Sequence, residues 1–116
     1  MEAGDNALIA GFFITGSSSK KVLIRGIGPS LANAGVAGTL QDPVLELDRD
    51  AATRKVNDNW QDDATQASQL TNIGISPSDS LESAVVATLP PGAYTAVVAG
   101  KNGTSGTALV EVYNIP

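Results

Sequence analysis

The sequence predicts an all-β domain, an antiparallel β-sandwich or jelly roll of seven to eight short strands. Three observations carry that reading. Runs rich in Val, Ile, Leu, Phe and Thr recur along the 116 residues, most of them alternating apolar with polar positions. Clusters of Gly, Pro, Asn, Asp and Ser separate the runs at regular intervals. No long segment carries the 3.6-residue apolar period of an amphipathic helix. With no internal repeat, linker or low-complexity tract, residues 1–116 read as one domain.

Taken in order, residues 6–15 (N-A-L-I-A-G-F-F-I-T) form the first strand. Leu8, Ala10, Phe12 and Ile14 share one face, and Ile9 and Phe13 the other. With both faces apolar, a central or doubly covered strand is expected rather than an edge. Gly16-Ser17-Ser18-Ser19 is a turn, and residues 20–27 return, so the two strands are expected to form a hairpin. Gly28-Pro29-Ser30 breaks the chain. Residues 31–40 read as an ordered loop with a short helical turn over one end of the sandwich.

Asp42-Pro43 opens the next strand, where Leu45 and Leu47 face inward and Val44, Glu46 and Asp48 outward. Residues 49–53 make a hairpin turn, and residues 54–57 begin the return. Residues 58–73 are polar and read as a loop with a helical turn at 64–70. Ser76-Pro77-Ser78-Asp79 is another break. Residues 81–89 and 93–99 are strands joined by Pro90-Pro91-Gly92, a tight turn. Asn102-Gly103 predicts positive φ at both positions and a second hairpin. In the last strand, residues 107–115, Ala108, Val110 and Val112 face one way and Leu109, Glu111 and Tyr113 the other.

Composition narrows the function. The net charge is −5, and Lys20, Lys21 and Arg25 are the only basic cluster near a strand, which is too little to neutralise a nucleic-acid backbone or to hold an anionic membrane. No apolar run approaches the ~18 residues that suggest a membrane span. There is no cysteine, hence no disulfide or thiol chemistry. There is no histidine, which removes the commonest general base and transition-metal ligand. A calcium site built from oxygens stays open. Met1-Glu2-Ala3-Gly4-Asp5 has neither the basic nor the apolar region of a signal peptide, which leaves a cytosolic chain or an excised or mature exported module.

Several stretches resemble a module of large secreted proteins from environmental bacteria such as Verrucomicrobia and Acidobacteria. They are G-D-N-A-L-I-A-G-F-F-I-T-G (4–16), K-K-V-L-I-R-G-I-G-P-S-L (20–31), D-P-V-L-E-L (42–47) and N-D-N-W (57–60). L-E-S-A-V-V-A-T-L-P-P-G-A-Y-T-A-V-V (81–98) and G-T-A-L-V-E-V-Y-N (106–114) continue the likeness. It is also similar, over residues 42–115, to bacterial pre-peptidase C-terminal domains, which share D-P-x-L-x-L, a turn, N-D, then P-G-x-Y. Ala51-Ala52-Thr53 stands where those domains usually carry a turn glycine. The resemblance implies an extracellular or cell-surface β-sandwich with accessory binding or stabilising roles, in some members with calcium.

Asp48, Asp50, Asp58 and Asp62, with Asn57 and Asp63 nearby, are the candidate calcium ligands, although their spacing is not that of an EF-hand. Trp60, flanked by Asn57 and Asn59, is the candidate glycan contact, a ring to stack on a sugar beside groups that bond its hydroxyls. The competing reading has Trp60 plugging the open end of the sandwich, its N–H bonded to a carbonyl. Residues 26–31 (G-I-G-P-S-L) superficially resemble a phosphate loop or a nucleophile elbow but lack the lysine, the closing glycine and a histidine base. Arg25, if it points inward, needs Glu46, Glu82 or Glu111. Asp62-Asp63 are adjacent and cannot straddle a glycosidic bond. Asn102-Gly103-Thr104 is a formal glycosylation sequon that the turn explains.

No catalytic or cofactor-binding residue is expected. The function read from the sequence is a non-catalytic structural or interaction module of an exported bacterial protein. Strand edges in residues 6–15 or 107–115 could pair copies into oligomers or filaments. The alternative is a calcium-assisted carbohydrate- or surface-binding module.

Overall fold

The computed structural model describes residues 7–49 and 54–115. Among them are seven strands: β1 (Leu8–Ile14), β2 (Lys20–Ile27), β3 (Pro43–Asp48), β4 (Lys55–Asn57), β5 (Ser83–Leu89), β6 (Gly92–Gly100) and β7 (Leu109–Asn114). One helix, α1 (Ala64–Ile73), lies between β4 and β5. The strands form two antiparallel sheets, β1-β6-β3-β4 and β5-β2-β7. The β-sandwich expected from the alternation is present.

Alternation sorts the leucines as expected on β3, although Glu46 on the opposite face is also buried. Leu45 and Leu47 are fully buried between the sheets, with Val22, Ile24, Val85 and Val98. Strand β2 is apolar on both faces for a different reason. Val22 and Ile24 point into the sandwich, while Leu23 points outward into a second core with Trp60, Leu70, Ala84 and Ile115. Helix α1 and the loop before it therefore make a third layer over the smaller sheet.

Strand β1 corrects the first expectation. It is an edge strand of the larger sheet, not a central one. Of its inner residues Phe12 and Ile14 pack on the core, but Leu8 is exposed, and on the outer face Ile9 is 56% and Phe13 75% exposed. The doubly covered strand is β2. Apolarity on both faces was a fair signal for cover on both faces, and in β1 the outer cover is absent among the described residues.

Two expected hairpins are also corrected. β1 and β2 belong to different sheets, and so do β6 and β7. The turn chemistry itself holds, with Asn102 at φ 57° and Gly103 at φ 78°. A turn dictates how sharply the chain reverses, not which sheet takes the next strand. Here the reversals cross the sandwich, and β1 pairs instead with β6, Phe12 opposite Tyr94. Those two rings stack with centroids 5.5 Å apart. β3 and β4 pair antiparallel as expected, with Leu45 opposite Asn57 and Leu47 opposite Lys55; residues 50–53 of the turn expected between them lie outside the described residues.

The helical turn expected at 64–70 is a ten-residue helix. Asp63 caps it by accepting from Gln66 N at 3.1 Å, and Gly74 at φ 85° ends it. The short 3-10 turn at Pro29–Ala34 matches the ordered loop expected there.

Candidate functional site

The antiparallel register of the β3–β4 hairpin divides the predicted calcium ligands. Asp48 ends β3, where Arg54 Nε meets its Oδ1 at 3.2 Å. Asp58 and Asp62 lie beyond the far end of β4, level with Asp42. At ~3.4 Å per residue, six residues of strand separate Asp42 from Asp48 by roughly 20 Å. Asp48 therefore cannot share an ion with Asp58 and Asp62. Asp50 lies outside the described residues. Among those residues, no group of three or more His, Cys, Asp or Glu is placed to hold a metal ion.

What gathers at the far end is Asp42, Asp58 and Asp62 around one cation of the protein's own. Lys101 Nζ sits 2.7 Å from Asp58 Oδ2. Burial, and then the neighbouring Asp58, hold the Asp42 carboxyl above its ordinary range, while Lys101 opposes that shift. The ammonium of Lys101 is shifted upward in turn, mainly by its hydrogen bond to Asp58.

The predicted glycan contacts are brought together, but as architecture. Trp60 is 9% exposed and packs in the outer core. Its indole N–H donates to Asp79 O at 3.2 Å, and its backbone N–H to Glu82 O at 2.9 Å. This is the plug rather than the platform, because a ring that stacks on a sugar must present a face. Asn57 Nδ2 donates to Asn59 O at 3.1 Å, and Asn59 N donates to Asp62 Oδ2 at 3.2 Å. The Trp60 and Asn57 side chains are thus engaged in shaping the loop.

Residues 26–31 bind an anion, though not a phosphate. Gly28 N and Ser30 N converge with Ser30 Oγ on a single oxygen, at 2.9, 2.9 and 2.6 Å. This is an anion-binding nest, and its anion is internal: Oε2 of Glu82, a fully buried side chain. The other oxygen, Oε1, accepts from Asp79 N at 3.2 Å. The tight passage requires Gly28, since a Cβ there would stand 2.0 Å from Leu40 O. A phosphate has no place in a nest that a carboxylate fills.

Arg25 has a carboxylate, and it is Glu111, its cross-strand neighbour on β7. Arg25 Nε donates to Glu111 Oε1 at 2.8 Å, and Nη1 to Ile75 O at 3.1 Å. Tyr113 donates to Glu111 Oε2 at 2.9 Å, and that hydrogen bond is the main reason its phenol titrates above the usual range. The network ties the end of α1 to the smaller sheet.

The sheet edges differ sharply from one another. Strand β5 is an edge, yet three of its outward backbone groups, Ala84 N, Ala84 O and Val86 N, are occupied by side chains. Asn57 Oδ1 accepts from Ala84 N at 3.0 Å. The Gln66 amide donates to Ala84 O at 2.8 Å and accepts from Val86 N at 2.9 Å. One side-chain amide thus reproduces the bonding of a peptide group in an added strand. Edge β4 is three residues long and carries Lys55, and β7 carries Glu111. Short length, charge and side-chain cover all blunt an edge. Edge β1 has none of them: Leu8–Ile14 is seven residues without charge. Sequence reasoning missed Gln66, because nothing in its spacing from Ala84 and Val86 foretells the contact.

The fold and its polar contacts define a small all-β domain with neither an evident catalytic constellation nor a metal group among the described residues. No protein-family model, curated protein or solved structure matches the chain. No helix among the described residues is long and apolar enough to cross a membrane.

Proposed function

We propose that this chain is a non-catalytic structural and interaction module of an exported bacterial protein, acting at the cell surface or outside the cell by association through an open strand edge. The carrying observation is the contrast between edges. Gln66 and Asn57 close β5 against further strands, while β1 offers seven uncharged residues and two exposed apolar side chains, Ile9 and Phe13. A free edge of that kind supplies main-chain hydrogen bonds for affinity and side-chain pairs for selectivity. The resemblance to modules of secreted bacterial proteins supports the setting. The polar clusters support the non-catalytic part, since Glu82, Asp58, Arg25 and Trp60 are each occupied in holding the fold.

Size-exclusion chromatography with light scattering tests the reading. Across a concentration series from about 1 µM to 1 mM, spanning the weaker range of protein affinities, mass should rise above that of one chain. A single mass at every concentration would count against association.

A further inference from the structure

Resting on that reading, we infer that the partner of the β1 edge is a second copy of this chain, bound by antiparallel β1–β1 pairing about a two-fold axis at Gly11.

The side chains of β1 are self-complementary about that residue. With Gly11 opposite Gly11 of the second copy, Ile9 faces Phe13 and Phe13 faces Ile9, all on the outer face of the sheet. Ala10 then meets Phe12, and Leu8 meets Ile14, so all seven residues of the strand are paired. Centring on Ala10 would place Ile9 opposite Gly11, and centring on Phe12 would place Phe13 opposite Gly11. Neither register sets Ile9 or Phe13 against a large apolar partner. Opposed apolar pairs are the unit of sheet stabilisation, and only the Gly11 register makes two of them from Ile9 and Phe13.

Charge favours the same arrangement. The chain carries a net charge of −5, so two copies repel unless their acidic regions stay apart. Residues 42–63 hold seven acidic against three basic residues, and in the sheet β3 and β4 lie on the far side from β1. Joined at β1, the two sheets become one of eight strands, with five strand spacings between the two β3 strands. That is roughly 24 Å at ~4.8 Å per spacing, about three screening lengths at physiological salt.

The surface involved sets the strength. A whole aromatic side chain covers roughly 150–250 Å², so Ile9 and Phe13 together leave on the order of 250 Å² of apolar surface open per copy. With the strand backbones added, the contact falls near the ~1,000 Å² lower bound of specific interfaces. A reversible, concentration-dependent dimer follows. The dyad consumes both β1 edges, so this contact closes on itself and does not propagate into a filament.

Cysteine scanning tests the register directly, because the chain has no cysteine of its own. Gly11 tolerates the change: its φ is not in the left-handed region, and the nearest atom to an added Cβ is Tyr94 O at 3.9 Å. Residues directly opposite in an antiparallel pair have Cα atoms roughly 4.5–5.5 Å apart, within disulfide range. Under mild oxidation, Gly11→Cys should give a disulfide-linked dimer. Ile9→Cys alone should not, because its two copies would lie about 13 Å apart along the strands. An equimolar mixture of Ile9→Cys and Phe13→Cys should cross-link as a heterodimer. Phe13→Lys, at a position too exposed to affect folding, should weaken the dimer about tenfold or more by placing an ammonium against Ile9, as read by sedimentation.

The contrary results separate cleanly. A strictly monomeric wild-type chain overturns both this inference and the reading beneath it. Association that survives Phe13→Lys, yields no Gly11→Cys disulfide and is lost in Val112→Lys on β7 overturns the β1 dyad while keeping edge association. An Ile9→Cys homodisulfide without one at Gly11→Cys overturns the register.

Discussion

Replacing Glu82 with glutamine removes one charge and keeps the side-chain shape. The carboxylate is fully buried and accepts four hydrogen bonds, from Gly28 N, Ser30 N, Ser30 Oγ and Asp79 N. A glutamine amide must turn its NH₂ toward one end of this set. Turned toward Asp79, it opposes one donor and leaves the three nest donors on a neutral oxygen. Bonds to a charged acceptor contribute about 1.5–3 kcal/mol against about 1 for neutral ones, and an unsatisfied buried donor costs about 1–3. The sum for Glu82→Gln is about 3 kcal/mol, and for Glu82→Ala, which abandons all four donors, about 5. Each kcal/mol moves the midpoint of a domain of this size by roughly 4–6 °C, so Glu82→Gln should melt about 12–18 °C lower. Urea unfolding at pH 7, followed by the fluorescence of Trp60, is the assay. Formate or acetate should restore part of the Glu82→Ala loss by entering the vacated nest. A loss below about 1 kcal/mol for Glu82→Gln, with unchanged m, would refute the claim that this carboxylate organises the loop.

Other expectations follow from the same contacts. Gln66→Ala leaves Ala84 O and Val86 N without their side-chain partner, and should lower stability by about 1–2 kcal/mol while making β5 available for pairing, seen as new association that Phe13→Lys does not suppress. Asp42→Asn should stabilise the fold near neutrality. Its carboxyl is raised in the folded state, so its favourable contribution is complete below the ordinary carboxylate pKa and is lost as pH rises through the raised value. The gain in midpoint should therefore shrink as pH is lowered into the carboxylate range, and a gain that persists in acid would contradict the assignment. Trp60→Phe should cost about 1 kcal/mol for the lost N–H bond to Asp79 O, and Trp60→Ala about 3–5 for the void. In the intact protein, a glycan should leave the emission of Trp60 unmoved.

Much of the sandwich was legible in single strands and little of it in their pairing. The inward leucines of β3 and the β3–β4 hairpin came directly from period-2 alternation and a short polar turn. Asn102-Gly103 also announced its backbone angles. Neither pattern contains the long-range choice that sends β2 to the other sheet, because that choice depends on which apolar face each layer buries. β1 and β2 both carry large apolar residues on each face, although only β2 is charged, and it is the position of α1 and Trp60 over Leu23 that makes β2 the doubly covered strand.

The candidate site was legible in the same uneven way. The acidic stretch around Asp58 and Trp60 did mark one end of the sandwich. What the sequence did not show is that Lys101, forty-three residues away along the chain, brings an ammonium of the protein's own against Asp58. The nest at Gly28-Pro29-Ser30 was visible as a glycine-rich turn, and its occupant, Glu82, lies fifty-four residues further along. Local motifs show what a backbone can hold, and distant residues decide what it does hold.

The most direct test of an open β1 edge beside a sealed β5 edge is amide hydrogen exchange, residue by residue, as a function of protein concentration. The amides of β1 that point away from β6 should exchange quickly in dilute protein and become protected as concentration rises, with no comparable change in β4 or β5. Ala84 and Val86, bonded to Asn57 and Gln66, should be protected at every concentration. Exchange in β1 that is independent of concentration would contradict the account, as would fast exchange at Ala84 and Val86.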